Sequence, residues 1–589
     1  MHRYRNEKID AAHLAVQQEN YMLAKKLYRE ILHMEPENVC ALDGLGVVFC
    51  QECKTEEGVE LFQQALFLVQ NLAGQTVSPG DADFLIRWEA GILFHLGLSY
   101  RTLARLHDAL QMFEQSSQLI PPDYSLTLNL GQVYYELEQY PQAIEQFRRL
   151  SELDPTNPSI WLTLGFLLSH SDRYDEAADA LQRAKDFDGD SSPDINYYLA
   201  EALRKAQRYE ESLLYYEQML PLAGQYPQAV FGYGKSLIAL GDLDRGWDAM
   251  EFRLISSLGN WERHLLPNWS PESESKHSTI PVLAYSEEGI GAELMFASCL
   301  PDLINNVEHC VVECEQSLHS LFRRSFPRAE FVPLADDYVR SESNPWDIEL
   351  SSQIAFGSLP RFFRRQIEDF PLRKAYLVPD RNKVASWSHR LAGLGDGKKI
   401  GILWSGSWTN EMPGQTSLPI QNLRKMLFQH QSAHWINLQH GSRQNEMHAT
   451  SRTSPRIANE TATGNILRIF PEAFQYDLDS MAALLTALDL VITPPGYIAH
   501  LAGALGVRTW MLVPECPDWR HTVDCVSQTR CVWHPSIKMY QQAKGQSWQN
   551  FFAKINDDLA RFLTTYRPPE EIPATLAFPE TRLLYSRTA

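Results

Sequence analysis

The chain has 589 residues, enough for three or four units of ordinary domain size, and its composition, 44% hydrophobic and 21% charged, is that of a globular protein throughout. A net charge of −20 argues against a nucleic-acid surface, because phosphate binding needs a basic footprint. The opening MHRYRNEKIDAAHL lacks the apolar run of a signal peptide, and no uninterrupted apolar run is long enough for a membrane span, so a cytoplasmic location is expected.

The first half repeats. Small residues recur in register at Gly46, Gly97, Gly131, Gly165, Ala200 and Gly234, and the steps from Gly97 to Gly131 and on to Gly165 are 34 residues each. Twelve residues after each comes a second small residue, as at Gly58, Ala109, Ala143 and Ala177. Four further on comes a large apolar one, as at Phe62, Phe113, Phe147 and Leu181. Small side chains let two helices cross closely, and large ones fill the space to the next pair. That period and pattern predict about seven helix–turn–helix repeats of the tetratricopeptide kind over residues 5–256. Such an array offers a groove to a protein partner; the plainer reading is a spacer.

Cys50 and Cys53, within the array, form a lone CxxC, and Cys310 and Cys314, beyond it, form a second close pair. Neither has a further ligand pair at metal spacing, so both read as structural thiols and no metal is expected. The nine cysteines, an odd number, suit a reducing compartment. The run DFDGDSSPD, Asp186 to Asp194, reads as an inter-repeat loop, because Tyr197 stands where a calcium loop needs glutamate.

After GDLDRGWDAMEFRL the pattern changes. Short apolar runs alternate with helical stretches: IPVLAY, then EHCVVECEQ, LHSLFRRSF and AEFVPL. KAYLVPDRNK closes this series, and Val384 to Lys398 reads as a connector. A second series begins at KKIGILWSGSW and continues through LPIQNLRKMLFQH, AHWINLQHG, DSMAALLTALDLVIT, AHLAGALG and RTWMLVP. The alternation predicts two parallel sheets flanked by helices, over residues 265–383 and 396–570, with 571–589 as a tail.

The stretches MAALLTALDLVIT, IAHLAGALGVRTWMLVPECPDWRH and VWHP resemble the C-terminal lobe of bacterial proteins that join tetratricopeptide repeats to a glycosyltransferase of the GT-B fold. That lobe is similar to ADP-heptose:lipopolysaccharide heptosyltransferases and, more remotely, to repeat-bearing protein O-GlcNAc transferases. LPNWS, EEGIG, ILWSG and INLQHG add to the resemblance, which covers nearly the whole chain. It implies a tetratricopeptide superhelix followed by two Rossmann-like lobes. It also implies metal-independent sugar transfer from a nucleotide-diphosphate sugar, held as substrate with no further cofactor, to a protein docked on the repeats. Flagellin is an acceptor of related architectures.

Such chemistry needs a cradle for the diphosphate and a base for the acceptor. The turn at Gly496 and Tyr497 precedes a helix whose free N–H groups suit the anion. His500, one turn in, is given a phosphate role by the family pattern. Trp404, Ser405 and Gly406 follow a strand, and Gly406 permits close backbone approach. Gln439 is placed for a nucleobase or ribose, or for plain strand-end packing. Arg520, with Asp518, either braces its loop or touches the donor. Asp479 and Ser480 read as a helix cap.

The sequence also departs from the family pattern. Pro495 and Gly496 stand where an Asp-Thr pair is common, and Ala292 stands where the family carries the acidic residue that is its catalytic base. Thr416 replaces a basic residue. Glu287, Glu288 and Glu293 are the substitute bases within reach. A degenerate transferase fold kept for binding is the competing reading.

Overall fold

The computed structural model describes residues 7–73, 79–189, 191–256, 266–272, 279–287, 289–334, 346, 348–406, 417–439, 467–470, 478–521 and 531–565. Glu288, Thr416 and the 571–589 tail lie outside the described residues. The chain divides into two compact units, Met1–Ala206 and Gln207–Ala589.

The first unit is all helix. Its antiparallel pairs are α1 (Glu7–Gln17) with α2 (Tyr21–Met34), α3 (Val39–Gln51) with α4 (Thr55–Ala73), and α5 (Pro79–Thr102) with α6 (Leu106–Leu119). Then come α7 (Tyr124–Glu136) with α8 (Tyr140–Leu153), α9 (Pro158–His170) with α10 (Tyr174–Asp188), and α11 (Pro193–Lys205). The repeat is written into both turns. Between the helices of a pair one residue takes the left-handed conformation: Glu19, Cys53, Ala104, Glu138 and Asp172, all with φ between 58° and 60°. Cys53 of the CxxC is therefore an exposed turn residue, while Cys50 lies 3.4 Å from Ser99 Oγ. Before the first helix of a pair, Asn38, Asp123 and Asn157 cap it, each side chain accepting a backbone N–H.

The small-to-large pattern is close packing. A Cβ on Gly97 would lie 2.4 Å from a ring carbon of Phe113, and one on Gly165 would lie 2.5 Å from Leu181 Cγ. Phe113 is fully buried and has nowhere to move. Gly97→Val is expected to cost about 2 kcal/mol or more, because overpacking outweighs the small gain in helix propensity. Gly91, on the same helix, has nothing within 4 Å of an added Cβ, so Gly91→Ala is expected to stabilise by about 0.5–1 kcal/mol. Urea unfolding of both variants checks the contrast.

The second unit opens with α12 (Tyr209–Met219), α13 (Pro227–Ala239) and α14 (Leu243–Met250). The repeat pattern thus runs past Ala206, and these helices group with the sheets. A four-stranded parallel sheet follows: β1 (Val282–Tyr285), β2 (Cys310–Cys314), β3 (Glu330–Pro333) and β4 (Ser352–Ala355), in the order β3-β2-β1-β4. Its helices include α15 (Ile290–Phe296), α16 (Leu300–Asn306), α17 (His319–Ser325) and α18 (Pro360–Phe363). The stretch read as a connector from Val384 begins inside a helix, α19 (Arg381–Ala392), opened by the Asp380 side chain accepting from the Asn382 and Lys383 N–H groups.

The second sheet has six parallel strands: β5 (Lys399–Ile402), β6 (His434–Asn437), β7 (Leu467–Ile469), β8 (Leu490–Thr493), β9 (Thr509–Val513) and β10 (Ile537–Gln541). Their order is β10-β9-β8-β5-β6-β7. Helices α20 (Ile420–Gln429), α21 (Leu478–Thr486), α22 (Tyr497–Ala504) and α23 (Trp548–Thr565) accompany it. One core cluster joins α13, α14, the first sheet and one face of the second, while another, with Trp404, Trp435 and Phe552, fills the opposite face. The order of strand addition reverses at β1, which lies between β2 and β4, and at β5, which lies between β6 and β8, while all strands stay parallel. Open parallel sheets place ligand crevices beyond the carboxyl ends of strands at such switch points. No helix among the described residues is long and apolar enough to cross a membrane.

Candidate functional site

Beyond β1 the chain turns through Ser286, Glu287 and Gly289 into α15. Gly289 takes φ +81°, a conformation that favours glycine. Glu287 is 1% exposed and fully engaged. Its Oε1 accepts from Arg253 Nη2 at 2.6 Å and from the Gly357 N–H at 2.6 Å, and its Oε2 accepts from Arg253 Nε at 3.2 Å. Arg253, at the end of the helices that precede the sheets, also donates to Ser358 Oγ at 3.0 Å and to Glu251 Oε1 at 2.9 Å. Glu287 is thereby a strut between Arg253 and the β4 loop.

Glu293 faces inward. Its carboxylate accepts from Ser286 Oγ and, at 3.2 Å, from the Glu315 N–H. Burial pushes its pKa up to about 7 against these bonds, with the Glu315 and Glu313 charges adding to the rise. The folded value thus lies above the unfolded one, about 4.3. Its stabilising contribution is full below the unfolded value and is lost as pH rises through about 7. Glu293→Gln carries no charge. Its stability relative to wild type is expected to improve by about 2–3 kcal/mol from about pH 5 to about pH 8. Unfolding at both pH values measures this; a difference flat with pH would contradict it.

At the end of β5, Gln439 ties the loop down. Its Oε1 accepts from the Trp404 N–H at 3.3 Å and the Ser405 N–H at 2.9 Å. Gln439 is 2% exposed, so its carbonyl serves the backbone of 404–405. Gly406 approaches the next turn backbone to backbone: an added Cβ would lie 2.0 Å from the Pro495 carbonyl oxygen.

Beyond β8, Gly496 takes φ +153° and opens α22. Tyr497 and His500 are buried in its first turns. His500 Nδ1 lies 3.1 Å from His534 Nε2, and its ring stacks on His521 with centroids 5.6 Å apart at 18°. Burial holds His500 well below the ordinary histidine value, and the neighbouring His534, His521 and Arg520 reinforce the shift, so the ring is neutral at physiological pH. Arg520 pairs with Asp518 at 2.8 Å and lies 4.6 Å over the Trp519 ring, which is a bracing geometry. Asp479 pairs with Arg324 and, at 3.4 Å, with Lys383 from inside α21.

The fold brings three of the expected elements together. A Cβ on Gly291 would lie 3.7 Å from Tyr497 Cα, so the first turn of α15 faces that of α22, and Gly406 lies on Gly496. Ala292, where the resemblance places an acid, is on α15 and buried. Sequence reasoning did not find Arg253, His521 or His534, although PDWRH and VWHP carry both histidines. Among the described residues no group of three or more His, Cys, Asp or Glu side chains is placed to hold a metal ion.

Comparison with known proteins locates the repeats. A tetratricopeptide-repeat model matches residues 9–73 and 171–230, and a TPR-repeat model matches residues 131–169. The N-terminal helix pairs are tetratricopeptide repeats. Protein FlbA of Caulobacter vibrioides is 28% identical over 349 residues, 56% of this chain and 55% of FlbA, so the chain spans just over half of that relative. Among solved structures, YrrB, a TPR protein with an unusual peptide-binding site, is 19% identical, covering 31% of this chain and 86% of its own, with a TM-score of 0.26. PilF of Pseudomonas aeruginosa is 22% identical, covering 38% and 93%, with a TM-score of 0.29.

In the tetratricopeptide repeats a cavity of about 670 Å³ is lined by Val47, Phe62, Phe94, His95, Leu98 and Arg101, among others. Its charges are already partnered. His95 Nδ1 meets Asp43 at 2.8 Å, and Arg101 meets Glu136 at 2.8 Å and Asn129 at 3.2 Å. Burial lowers the His95 pKa, but the charge and hydrogen bond of Asp43 outweigh it and hold it above the ordinary value. Ring contacts then run across α7, α9 and α11, from Tyr135 to Phe166 at 5.9 Å and from Phe166 to Tyr198 at 5.8 Å.

Proposed function

We propose that the two sheets are the lobes of a GT-B glycosyltransferase and that the repeats hold its protein acceptor, flagellin being the candidate by resemblance. The observation that carries this reading is the facing of α15 and α22 beyond the switch-point strands, with Gly406 lying on Gly496. In it, the Gly496–Tyr497 turn and His500 receive the diphosphate of a nucleotide sugar, and the Ser405–Gly406 backbone forms the adjoining wall, held by Gln439, while the Trp404 ring lies in the core. Arg520 braces the loop over the same site. Backbone N–H groups and a neutral imidazole neutralise the leaving group in place of a metal. Glu293, pushed up to about 7 by burial, lies in the range of a working base.

A scaffold reading is favoured by a different observation: Glu287 is locked to Arg253, Glu293 is fully buried, and Ala292 stands in the acid's place. Donor binding decides. The full chain is titrated with UDP-, GDP-, ADP- and CMP-sugars, and then with the acceptor present. Binding of one donor, weakened by His500→Gln in a variant shown to remain folded, supports the transferase. No binding across the panel, with or without the acceptor, leaves the scaffold.

A further inference from the structure

His534 has one face stacked on Tyr376, with centroids 6.0 Å apart at 19°, and its ring is seated against Gly503, where an added Cβ would lie 2.4 Å from His534 Cγ. It is fully buried. Its Nε2 meets His500 Nδ1, and its own Nδ1 is buried with no hydrogen-bond partner. Burial pushes the His534 pKa down to about 3, the nearby His521 adding to the shift, so both rings are neutral and share one proton across the contact.

That orphaned Nδ1 decides who owns the proton. Were it on His500 Nδ1, a neutral His534 would carry its other proton on its own Nδ1, leaving a buried N–H with no acceptor. Orphaned buried donors are rarer in proteins than under-satisfied acceptors, and leaving one costs its full desolvation. The proton therefore sits on His534 Nε2, and His500 Nδ1 accepts. A neutral His500 then has its proton on Nε2, the nitrogen left for a ligand.

We propose that His534 is a positioning residue of the donor site, fixing His500 as the tautomer that donates from Nε2. This rests on the nucleotide-diphosphate reading of the α22 turn. It makes His500 a hydrogen-bond donor to phosphate oxygen and excludes it as the base that deprotonates the acceptor.

The test is nitrogen NMR of isotope-labelled histidine in the full chain, with His500→Gln assigning the signal. The expected result is a bare Nδ1 and a protonated Nε2 at neutral pH. In His534→Phe, which keeps a ring on Tyr376 and removes the bond, His500 is expected to relax to a tautomer mixture. Affinity for UDP or pyrophosphate then falls only by the fraction of His500 that has left the donating tautomer, about twofold for an even mixture. His534→Gln, whose amide can donate, restores most of both. A wild-type His500 protonated on Nδ1 overturns the proposal, as does an unchanged tautomer in His534→Phe. If no nucleoside diphosphate or pyrophosphate binds wild type, the donor-site role falls, while the tautomer spectrum still reports on the His534–His500 bond by itself.

Discussion

Arg253→Met is expected to lower the stability of the second unit by about 3–5 kcal/mol, the cost of removing one partner of a buried ion pair. Arg253 is 3% exposed and Glu287 1%. Without the guanidinium, the Glu287 carboxylate keeps the bond from the Gly357 N–H and loses the two from Arg253. Glu251, the other acid on Arg253, is partly exposed and can turn to water. Arg253→Met with Glu287→Leu should recover most of the loss, because a well-packed apolar pair replaces an ion pair at little net cost. Urea unfolding followed on the sheet-bearing unit gives both numbers. Arg253→Met within 1 kcal/mol of wild type would remove the strut. Under the transferase proposal the pair also separates two effects: a loss in Glu287→Gln alone mixes a weakened strut with a missing base, and a double variant that recovers stability tells them apart.

The helical half was legible because its signal is local and repeated. Gly97 and Phe113 sit sixteen residues apart in sequence and within contact across one pair, so a single chain displays the complementarity several times over. The strands VLAY, CVVEC, EFVP, KIGI, HWIN, LVIT and TWMLV were readable as apolar runs. Three were not. Ser352–Ala355 and Ile537–Gln541 carry polar residues within the run, and Leu467–Ile469 is three residues long. α19 was missed because its apolar face, Val384, Trp387 and Leu391, is thin.

The site was legible in its glycines and not in its pairings. Gly406 and Gly496 announce close backbone approach, and they touch. Nothing local says that Glu287 belongs to Arg253, 34 residues upstream, or that His500 belongs to His534, 34 downstream. Charge and hydrogen-bond partners across different elements are set by tertiary packing, which a single sequence does not encode as a period.

Trp247→Ala is expected to destabilise the second unit by about 3–5 kcal/mol, the range for removing a buried tryptophan from a core. Trp247 is 1% exposed on α14 and donates from Nε1 to the Arg364 carbonyl at 2.8 Å. Its ring lies 6.0 Å from Trp519 and 6.1 Å from Trp533, both edge-on. Phe296 of α15 joins the same cluster, 5.7 Å from Trp533. One aromatic node thus ties the last repeat helix, the helix after β1 and the loop after β9 that carries Asp518 and Arg520. That loop is held a second time where Gln207 donates to the Glu515 carbonyl. Trp247→Phe keeps most of the apolar area and loses the hydrogen bond, so it should cost about 1–2 kcal/mol. Beyond the midpoint, Trp247→Ala should weaken near-ultraviolet dichroism and raise amide exchange in residues 515–521 at temperatures where the helix pairs of residues 7–189 stay protected. If exchange there is unchanged while stability falls, Trp247 is core filling alone and the loop stands on Gln207 and its Asp518–Arg520 brace.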